Sequence, residues 1–322
     1  MCLDTALWAF LTASSAAMMM SAGFWDVRIR RVPDWHWAVI AAIGIICSSF
    51  LAWGKAPDLS VLAYAASSSM LAAYMLSERV PGILALPAAF AVSAWAWAET
   101  GYAGLFGPGI AFAAFLCMYV SGLIRGGADA KALMSLSLAF PSYPDIGGLP
   151  LFWPPSWPAA SFLCLPLSVL ALAAILTSVP MLFIGARNAF QGRQGRGMFT
   201  EFPMPTSEAR SSFVWTLQDV EDGAVVRTAP SDDPGAISRL EGAGVQTVTV
   251  TPMVPFVAFL AAGLLVAVLL GNPLFALFRE KGPGCGRLPD HVRPGTMYAI
   301  GILYKKYWMY IPLRGITYNI LI

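Results

Sequence analysis

Charged residues are scarce in this chain: only 12% of its 322 residues are Asp, Glu, Lys or Arg, whereas 57% are hydrophobic. An ordinary soluble domain has about 25% charged residues, so the composition argues against one. Mean hydropathy is +0.66, and apolar runs of about 18 residues or more recur, as membrane-spanning helices require. The sequence therefore predicts a polytopic helical membrane protein in a lipid bilayer.

Metal-binding side chains and paired cysteines are also few. The chain has two histidines, His36 and His291, and five scattered cysteines with no CxxC pair. This argues against a histidine-rich or cysteine-based zinc site and gives no support for a disulfide framework. The chain also lacks the HExxH motif of zinc proteases and a GxSxG element with a partner histidine. We therefore expect neither a metal nor a cofactor.

Seven apolar runs are predicted to span the bilayer, and an eighth, weaker run is interrupted by proline and glycine. The seven lie at residues 5–25, 36–53, 58–77, 82–98, 103–124, 160–185 and 253–271, and the weaker one at 130–152. The N-terminus contains Asp4 and lacks the basic residues that open a secretory signal, so we expect the first run to be retained. The predicted fold is an all-α polytopic membrane protein with about eight transmembrane helices.

Basic residues indicate the orientation. The spans are counted here in chain order, with the weaker run at 130–152 as the sixth and 160–185 as the seventh. Basic residues follow the first and third spans, flank the join of the fifth and sixth, and follow the seventh, whereas the alternate loops hold little beyond Lys55. Because Lys and Arg concentrate on the cytoplasmic side, the N-terminus is predicted to lie outside.

Residues 186–250 differ from the rest, because they hold most of the remaining charge together with turn-forming Gly and Pro. Two short runs, 213–217 and 245–250, are typical of strands. We predict a small cytoplasmic α+β insert at 186–250, between a transmembrane domain at 1–185 and a final transmembrane helix at 251–275. The basic, aromatic tail at 276–322 is predicted to be interfacial or disordered.

Two aspartates adjoin apolar runs: Asp26 ends the first, and Asp129 begins the weaker one after Gly126-Gly127-Ala128. A carboxylate at the edge of the hydrocarbon is costly, which makes a function the default hypothesis. Four predicted spans separate the two, an even number, so both should emerge on the cytoplasmic side. Two carboxylates that meet there can share a proton and act as general acid and base. Gly126 and Gly127 would let an extended peptide backbone approach Asp129.

Each aspartate also has a plainer interpretation. Asp26 could simply end a helix in headgroup water, and Asp129 could cap the helix that follows it. Asp34, which follows Pro33 and precedes a span, is predicted to be a helix N-cap and not a member of the pair. An ion- or proton-coupled membrane transporter is the alternative function, although it would usually bury charges near mid-membrane or show two related halves.

Two further features have competing interpretations. Lys131 could pair with a carboxylate in the site or bind lipid phosphate, and interfacial snorkelling is favoured. The acidic residues Asp219, Glu221 and Asp222 are predicted to form a solvated face, with a dock for a basic peptide as the alternative.

The sequences around both aspartates resemble those of a known family. Asp26 is followed by Arg31-Val32-Pro33-Asp34-Trp35, and Asp129 lies in Gly126-Gly127-Ala128-Asp129-Ala130-Lys131-Ala132-Leu133. Together they resemble the archaeal prepilin and preflagellin peptidases, which are GxGD-type intramembrane aspartyl proteases related to bacterial type IV prepilin peptidases. The resemblance covers about residues 5–275. Ala128 departs from it, since the strict motif has glycine there, and the stretch between the aspartates is longer by one helical hairpin.

The resemblance implies that Asp26 and Asp129 are catalytic, with Gly126, Gly127 and Ala128 beside the substrate. The expected activity is an aspartic endopeptidase that removes the leader peptide of a type IV prepilin-like or preflagellin (archaellin) precursor. The leader would carry a short basic region before a hydrophobic helix and be cut after a small residue, typically glycine. We expect a multi-pass plasma-membrane protein with its active site at the cytoplasmic face and no nucleic-acid partner.

Overall fold

The structure, a computed structural model, describes residues 3–278 of the chain except 54, 78, 154–163, 194, 196 and 232. The tail predicted at 276–322 lies outside the described residues from position 279 onward. The predicted start of the span at 160–185 also lies outside them.

Most of the described chain is helical, and the helix bounds follow the predicted apolar runs, except that the helix of the weaker run at 130–152 covers only Gly127–Ala139. The helices are α1 (Leu3–Ile29), α2 (Trp35–Ala52), α3 (Asp58–Leu76), α4 (Gly82–Thr100), α5 (Gly107–Val120), α6 (Gly127–Ala139), α7 (Leu165–Phe190) and, after the insert, α10 (Phe256–Leu269), with 3-10 turns at Ala103–Leu105 and Pro273–Phe278. Within the described part, five helices are long and apolar enough to cross a membrane, namely α1 to α4 and α7, while α5 and α10 are shorter apolar helices. The number of spans, about eight, stays a prediction.

Glycine and proline mark the helix ends. Gly101 follows α4 with a φ of 67° and its N–H donates to the Trp97 carbonyl at 2.7 Å, as in many glycine C-caps. Pro108 lies in the first turn of α5, where its missing N–H leaves no helical hydrogen bond unmade. The break at 77–81 separates α3 from α4, so four helices lie between α1 and α6.

Helix α6 forms the centre of the bundle. Its residues from Ala130 to Ala139 are nearly all buried, and it packs mainly against α2 and α5. A Cβ at Gly44 of α2 would collide with the backbone of Ala139, and the Ser48 hydroxyl donates to the Ala139 carbonyl at 2.9 Å. The helix ends before Pro141, where the sequence predicts an interruption, and this close packing fixes the position of its other end.

Between α7 and α10 the chain forms a small antiparallel sheet with two short helices. Its elements are β1 (Phe202–Pro205), α8 (Thr206–Ala209), β2 (Val214–Glu221), β3 (Ala224–Ser231), α9 (Pro234–Gly242) and β4 (Thr247–Pro252). The strand order is β1-β4-β2-β3, and the insert has its own core of Ala209, Val214, Ile237, Leu240, Val248 and Val250. The predicted runs at 213–217 and 245–250 correspond to β2 and β4, whereas β1 and β3 were not predicted.

The sheet is tied to the ends of α7 and α10. Asn188, near the end of α7, donates from Nδ2 to the carbonyls of Met198 and Glu201, each at 2.7 Å. The Met253 N–H, just after β4, donates to the Phe213 carbonyl at 3.0 Å. Because β4 ends at 252 and α10 begins at 256, the position of the sheet determines where the first turn of α10 lies.

Candidate active site

Asp26 lies in the last turn of α1 and faces the first turn of α10. Its Oδ2 accepts a hydrogen bond from the Val257 N–H at 3.0 Å. The first N–H groups of a helix have no partner within the helix, and the helix dipole favours a carboxylate there. Pro255, at the N-cap position of α10, makes no side-chain capping bond, so Asp26 supplies the cap from another part of the chain. This contact favours the ionised form of Asp26.

Asp129 lies in the first turn of α6, and the preceding residues make room for it. A Cβ at Gly126 would collide with the Asp129 carboxylate, so the missing side chain of Gly126 leaves the space that this carboxylate occupies. Gly127 is exposed, and the atom nearest to a Cβ built there is the Tyr119 hydroxyl oxygen at 3.7 Å. Ala128 packs against the core of the bundle. The open approach to the site is therefore at Gly127.

The structure brings Asp26 and Asp129 together. The two half-buried carboxylates lie within electrostatic range of each other, although four helices separate them in the chain. Among the residues that the structure describes, neither takes part in a salt bridge. The pair therefore consists of two like charges, placed at one end of the bundle, that no cation neutralises by direct contact.

Arg30 directly follows α1 and has an uncommon backbone conformation. Its φ of 56° lies in the left-handed region, which non-glycine residues seldom occupy. Its guanidinium carbon lies 5.1 Å from the centroid of the Phe213 ring, which belongs to the insert, and it is within electrostatic range of Asp26. Nε and Nη1 are buried and have no hydrogen-bond partner within the described part of the chain. Nothing in the sequence signals this arrangement except the position of Arg30 after a predicted helix.

The side chain of Asp34 pairs with a lysine, although the residue lies at the start of a helix. It occupies the N-cap position of α2 but makes no side-chain capping bond. Both of its carboxylate oxygens accept from Lys131 Nζ at 2.8 Å. The predicted N-cap position of Asp34 is confirmed, but its side chain binds Lys131 and makes no capping bond. Lys131 thus binds a carboxylate, where snorkelling to the interface was the favoured interpretation. The bridge joins the start of α2 to α6 just after Asp129.

His36 fixes α1 against α2 near the site. Its buried ring contacts the Pro33 carbonyl through Nδ1 at 3.0 Å and the Ser21 hydroxyl through Nε2 at 3.1 Å. A carbonyl can only accept, so Nδ1 donates and Nε2 of a neutral ring accepts from Ser21. Ser21 lies little more than one helical turn before Asp26. The sequence did not predict this role of His36, because its contact with Ser21 depends on how two helices pack.

One member of the acidic cluster predicted in the insert, Asp219, already has an arginine as its partner. Asp219 accepts hydrogen bonds from Arg239 at 2.8 and 2.6 Å, and these bonds lower the pKa of Asp219 to about 2. Asp222 and Gly223 form the β2–β3 turn with φ values of 51° and 78°, as an Asp-Gly hairpin turn requires. Asp219 is therefore not free to hold a basic peptide.

Among the described residues, no group of three or more His, Cys, Asp or Glu side chains is placed to hold a metal ion. In comparisons with known proteins, no family model matches the chain and no curated protein matches it. The interpretation of the site therefore depends on its own geometry, in which Asp26, Asp129 and the first turn of α10 converge at one end of a helical bundle.

Proposed function

We propose that the protein is a membrane-embedded aspartyl endopeptidase that removes the leader peptide of type IV prepilin-like or preflagellin precursors. The observation that carries the proposal is the Asp26–Asp129 pair, in which α1 and α6 supply two carboxylates within electrostatic range of each other. Two carboxylates within electrostatic range of each other resist double ionisation, so such a pair can share a proton. A shared proton is what an aspartyl protease uses to activate water.

The two aspartates have different roles in this proposal, because their surroundings differ. Asp26 accepts the Val257 N–H at the start of α10, which favours its ionised form, so Asp26 is the general base. Among the described residues, Asp129 accepts no hydrogen bond from an N–H group or a cation, and the charge of Asp26 lies within electrostatic range of it. Asp129 is therefore the member that carries the proton.

The reaction follows from these protonation states. Asp26 takes a proton from water, and the water oxygen attacks the scissile carbonyl carbon while Asp129 gives its proton to the carbonyl oxygen. In the resulting gem-diol, the C–N bond breaks as Asp26 returns its proton to the leaving nitrogen and Asp129 regains a proton from a hydroxyl. The products are a carboxylic acid and an amine, and both aspartates are restored.

The substrate would be held where the bilayer meets the cytoplasm of the cell. Arg28 and Arg31, on either side of the end of α1, support a cytoplasmic position of this end. A precursor with a basic leader would place its apolar helix in the plasma membrane, so the bond before that helix would reach the aspartates. The open space at Gly127 accommodates a backbone with a small residue before the cut.

The test is cleavage of a leader-bearing precursor peptide by the full-length protein in detergent. Asp26→Asn and Asp129→Asn should each lower the rate by about 10²–10⁴-fold, the usual contribution of general acid–base catalysis. Asp34→Asn is the matched control, because Asp34 is a nearby carboxylate that is already paired with Lys131, and it should retain activity. An inactive Asp34→Asn variant together with an active Asp26→Asn variant would contradict the proposal.

Two further measurements separate this proposal from other classes. Chelators should leave the rate unchanged, and loss of activity with EDTA that zinc restores would contradict an aspartyl mechanism. Proton-driven uptake of a solute into vesicles without cleavage of any leader peptide would favour the transporter alternative.

A further inference from the structure

A cavity of about 250 Å³ lies at the end of the bundle opposite to Asp26 and Asp129. Its lining comes from the start of α1, the end of α2, the turn before α5 and the segment 141–145 after α6. Asp26 lies near the end of α1 and Asp129 near the start of α6, so both helices reach the cavity with their other ends. The proposed peptidase mechanism makes no use of this cavity.

Three charged side chains line the cavity, and all three are open to water. Asp4 and Lys55 form a salt bridge at 2.8 Å, with their side chains 45% and 42% exposed. Asp145 is exposed and forms no salt bridge among the described residues. Two carboxylates and one ammonium give the lining a net charge of −1. A cleft with this sign attracts cations in preference to anions.

The rest of the lining is largely aromatic and apolar. Trp8, Tyr64 and Leu105 are buried, whereas Tyr102 and Tyr143 are half-buried. Aromatic rings attract cations, and pockets with several of them bind organic ammonium groups in many proteins. Buried apolar side chains can take up the hydrocarbon part of such a ligand. The lining therefore suits a molecule that is positively charged at one end and apolar at the other.

A metal ion fits this lining less well than an organic cation. Calcium takes six to eight oxygen ligands at short distances, and magnesium demands a near-ideal octahedron. In the part of the chain that the structure describes, no group of three or more His, Cys, Asp or Glu side chains is placed to hold a metal ion. Asp4 is also already paired with Lys55. Because the charged side chains of the cavity are open to water, a ligand from solution can reach them.

We propose that this cavity binds a small soluble amine in its protonated form. Its ammonium group would be held by the attraction of Asp4 and Asp145, and its hydrocarbon part would pack against Trp8, Tyr64 and Leu105. The site is independent of the proposed peptidase function, because neither Asp26 nor Asp129 lines the cavity.

The first experiment measures binding of cyclohexylammonium to the full-length protein in detergent by isothermal titration calorimetry. A titration into detergent alone is subtracted, and cyclohexanol is the neutral analogue of similar shape. We expect saturable binding of cyclohexylammonium with one site per chain, which weakens as salt is added, and much weaker binding of cyclohexanol. Equal binding of the two compounds, or no saturable binding of cyclohexylammonium, would overturn the proposal.

Two charge variants should change the affinity in opposite directions. Lys55→Met changes the net charge of the lining from −1 to −2, so cyclohexylammonium should bind about 2- to 5-fold more tightly, the range for an exposed charge pair. Asp145→Asn should weaken binding by a similar factor. The increase in Lys55→Met cannot result from misfolding. Weaker binding in Lys55→Met together with tighter binding in Asp145→Asn would identify an anion site and contradict the proposal.

Asp58→Asn is the matched control for Asp145→Asn. Asp58 is an exposed acid in the first turn of α3, at the same end of the bundle, but it does not line the cavity. Its replacement should leave the affinity unchanged. Equal losses in Asp58→Asn and Asp145→Asn would show that cyclohexylammonium responds only to the general surface charge, which would overturn the site.

Two final measurements test the aromatic lining and the source of the ligand. Tyr102→Leu should weaken binding about 2- to 5-fold, as expected when an exposed cation–π contact is lost, whereas Tyr102→Phe should retain most of the affinity. An undiminished affinity in Tyr102→Leu would contradict the aromatic contribution. Neither short-chain phosphatidylethanolamine nor short-chain phosphatidylglycerol should compete with cyclohexylammonium. Competition by phosphatidylethanolamine alone would assign the site to a lipid headgroup and contradict a soluble ligand.

Discussion

Charged side chains are arranged in opposite ways in the insert and at the end of the helical bundle that holds Asp26 and Asp129. In the insert, carboxylates have cations as partners: Asp219 and Asp233 both bind Arg239, and Glu201 binds Arg227. At the end of the bundle, Asp26 and Asp129 lie within electrostatic range of each other without a salt bridge among the described residues. Both regions are rich in polar groups, but only one of them leaves like charges together.

The difference indicates what each region is for. Paired surface charges add modest stability and need no special arrangement of the surrounding residues. Two carboxylates kept together at the edge of an apolar bundle are costly, and perturbed groups of this kind cluster at functional sites. The cost is met by specific neighbours: the Val257 N–H for Asp26 and the missing side chain of Gly126 for Asp129. Changes to these neighbours should therefore affect activity more than changes to paired charges.

The largest effect is expected for Gly126→Ala. The added methyl group would occupy the position of the Asp129 carboxylate, so this carboxylate must leave its present position relative to Asp26. A misplacement of about 1 Å can cost roughly 10²-fold in rate, and we expect a loss of that size in kcat. Gly107→Ala, in the first turn of α5, is the matched control, because a Cβ there meets nothing closer than 3.7 Å. Equal losses in the two variants would show that the space at Gly126 does not serve Asp129.

The second prediction removes the hydrogen bond to Asp26 without touching a side chain of the pair. Val257→Pro eliminates the N–H, and proline is tolerated in the first turn of a helix. Val257→Ala removes the same buried side chain but keeps the N–H. We expect kcat of the proline variant to fall about 10- to 100-fold below that of the alanine variant, since a hydrogen bond to a charged group is lost. Equal rates would mean that α10 does not set the state of Asp26.

A smaller effect is expected from the paired charges of the insert. Arg239 lowers the pKa of Asp219 to about 2 from 3.8. Because the folded pKa is the lower one, the pair stabilises the insert above the unfolded pKa, and this stabilisation is lost as pH falls from about 4 through 2. Hydrogen exchange of insert peptides should accelerate over this range beyond its intrinsic pH dependence. In Arg239→Met the extra acceleration should be much weaker, and an undiminished response would exclude Arg239 as its source.

The smallest effect is expected for the bridge between Asp34 and Lys131. Its side chains are 53% and 29% exposed, and a bridge of this kind is worth about 0–1 kcal/mol. Lys131→Met should therefore lower the free energy of unfolding by no more than that amount and leave most of the cleavage activity. A complete loss of activity would place Lys131 in the site, against the contrast between paired and unpaired charges.

Much of the helical part could be predicted because apolar runs and breaks are local signals. The predicted runs 36–53, 58–77 and 82–98 match α2, α3 and α4 within two residues. Strand β1 was not predicted because Pro203 and Pro205 argue against a strand. The structure tolerates them because β1 lies at the edge of the sheet, where only β4 pairs with it. Helix α7 continues beyond 185 to Phe190, since composition alone does not mark the end of an apolar helix.

The site could be predicted only in part, again because the sequence carries local signals but not long-range contacts. Asp26 and Asp129 could be paired by counting spans, since parity depends on local signals alone. The contacts around the two aspartates could not be predicted, because their partners are far apart in the chain. Val257 is 231 residues from Asp26, and Lys131 is 97 residues from Asp34. The positive φ of Arg30 likewise has no signature in sequence, where glycine or asparagine would be expected.

The central claim is that Asp26 and Asp129 share one proton, and infrared spectroscopy of the carboxyl groups tests it without any substrate. The full-length protein and its Asp26→Asn and Asp129→Asn variants would be titrated in detergent, with the variants assigning the bands. We predict a pH interval in which one of the two carboxyls is protonated and the other ionised, and a different titration of each aspartate once its partner is an amide. Titrations of Asp26 and Asp129 that do not change when the partner is replaced would contradict the account.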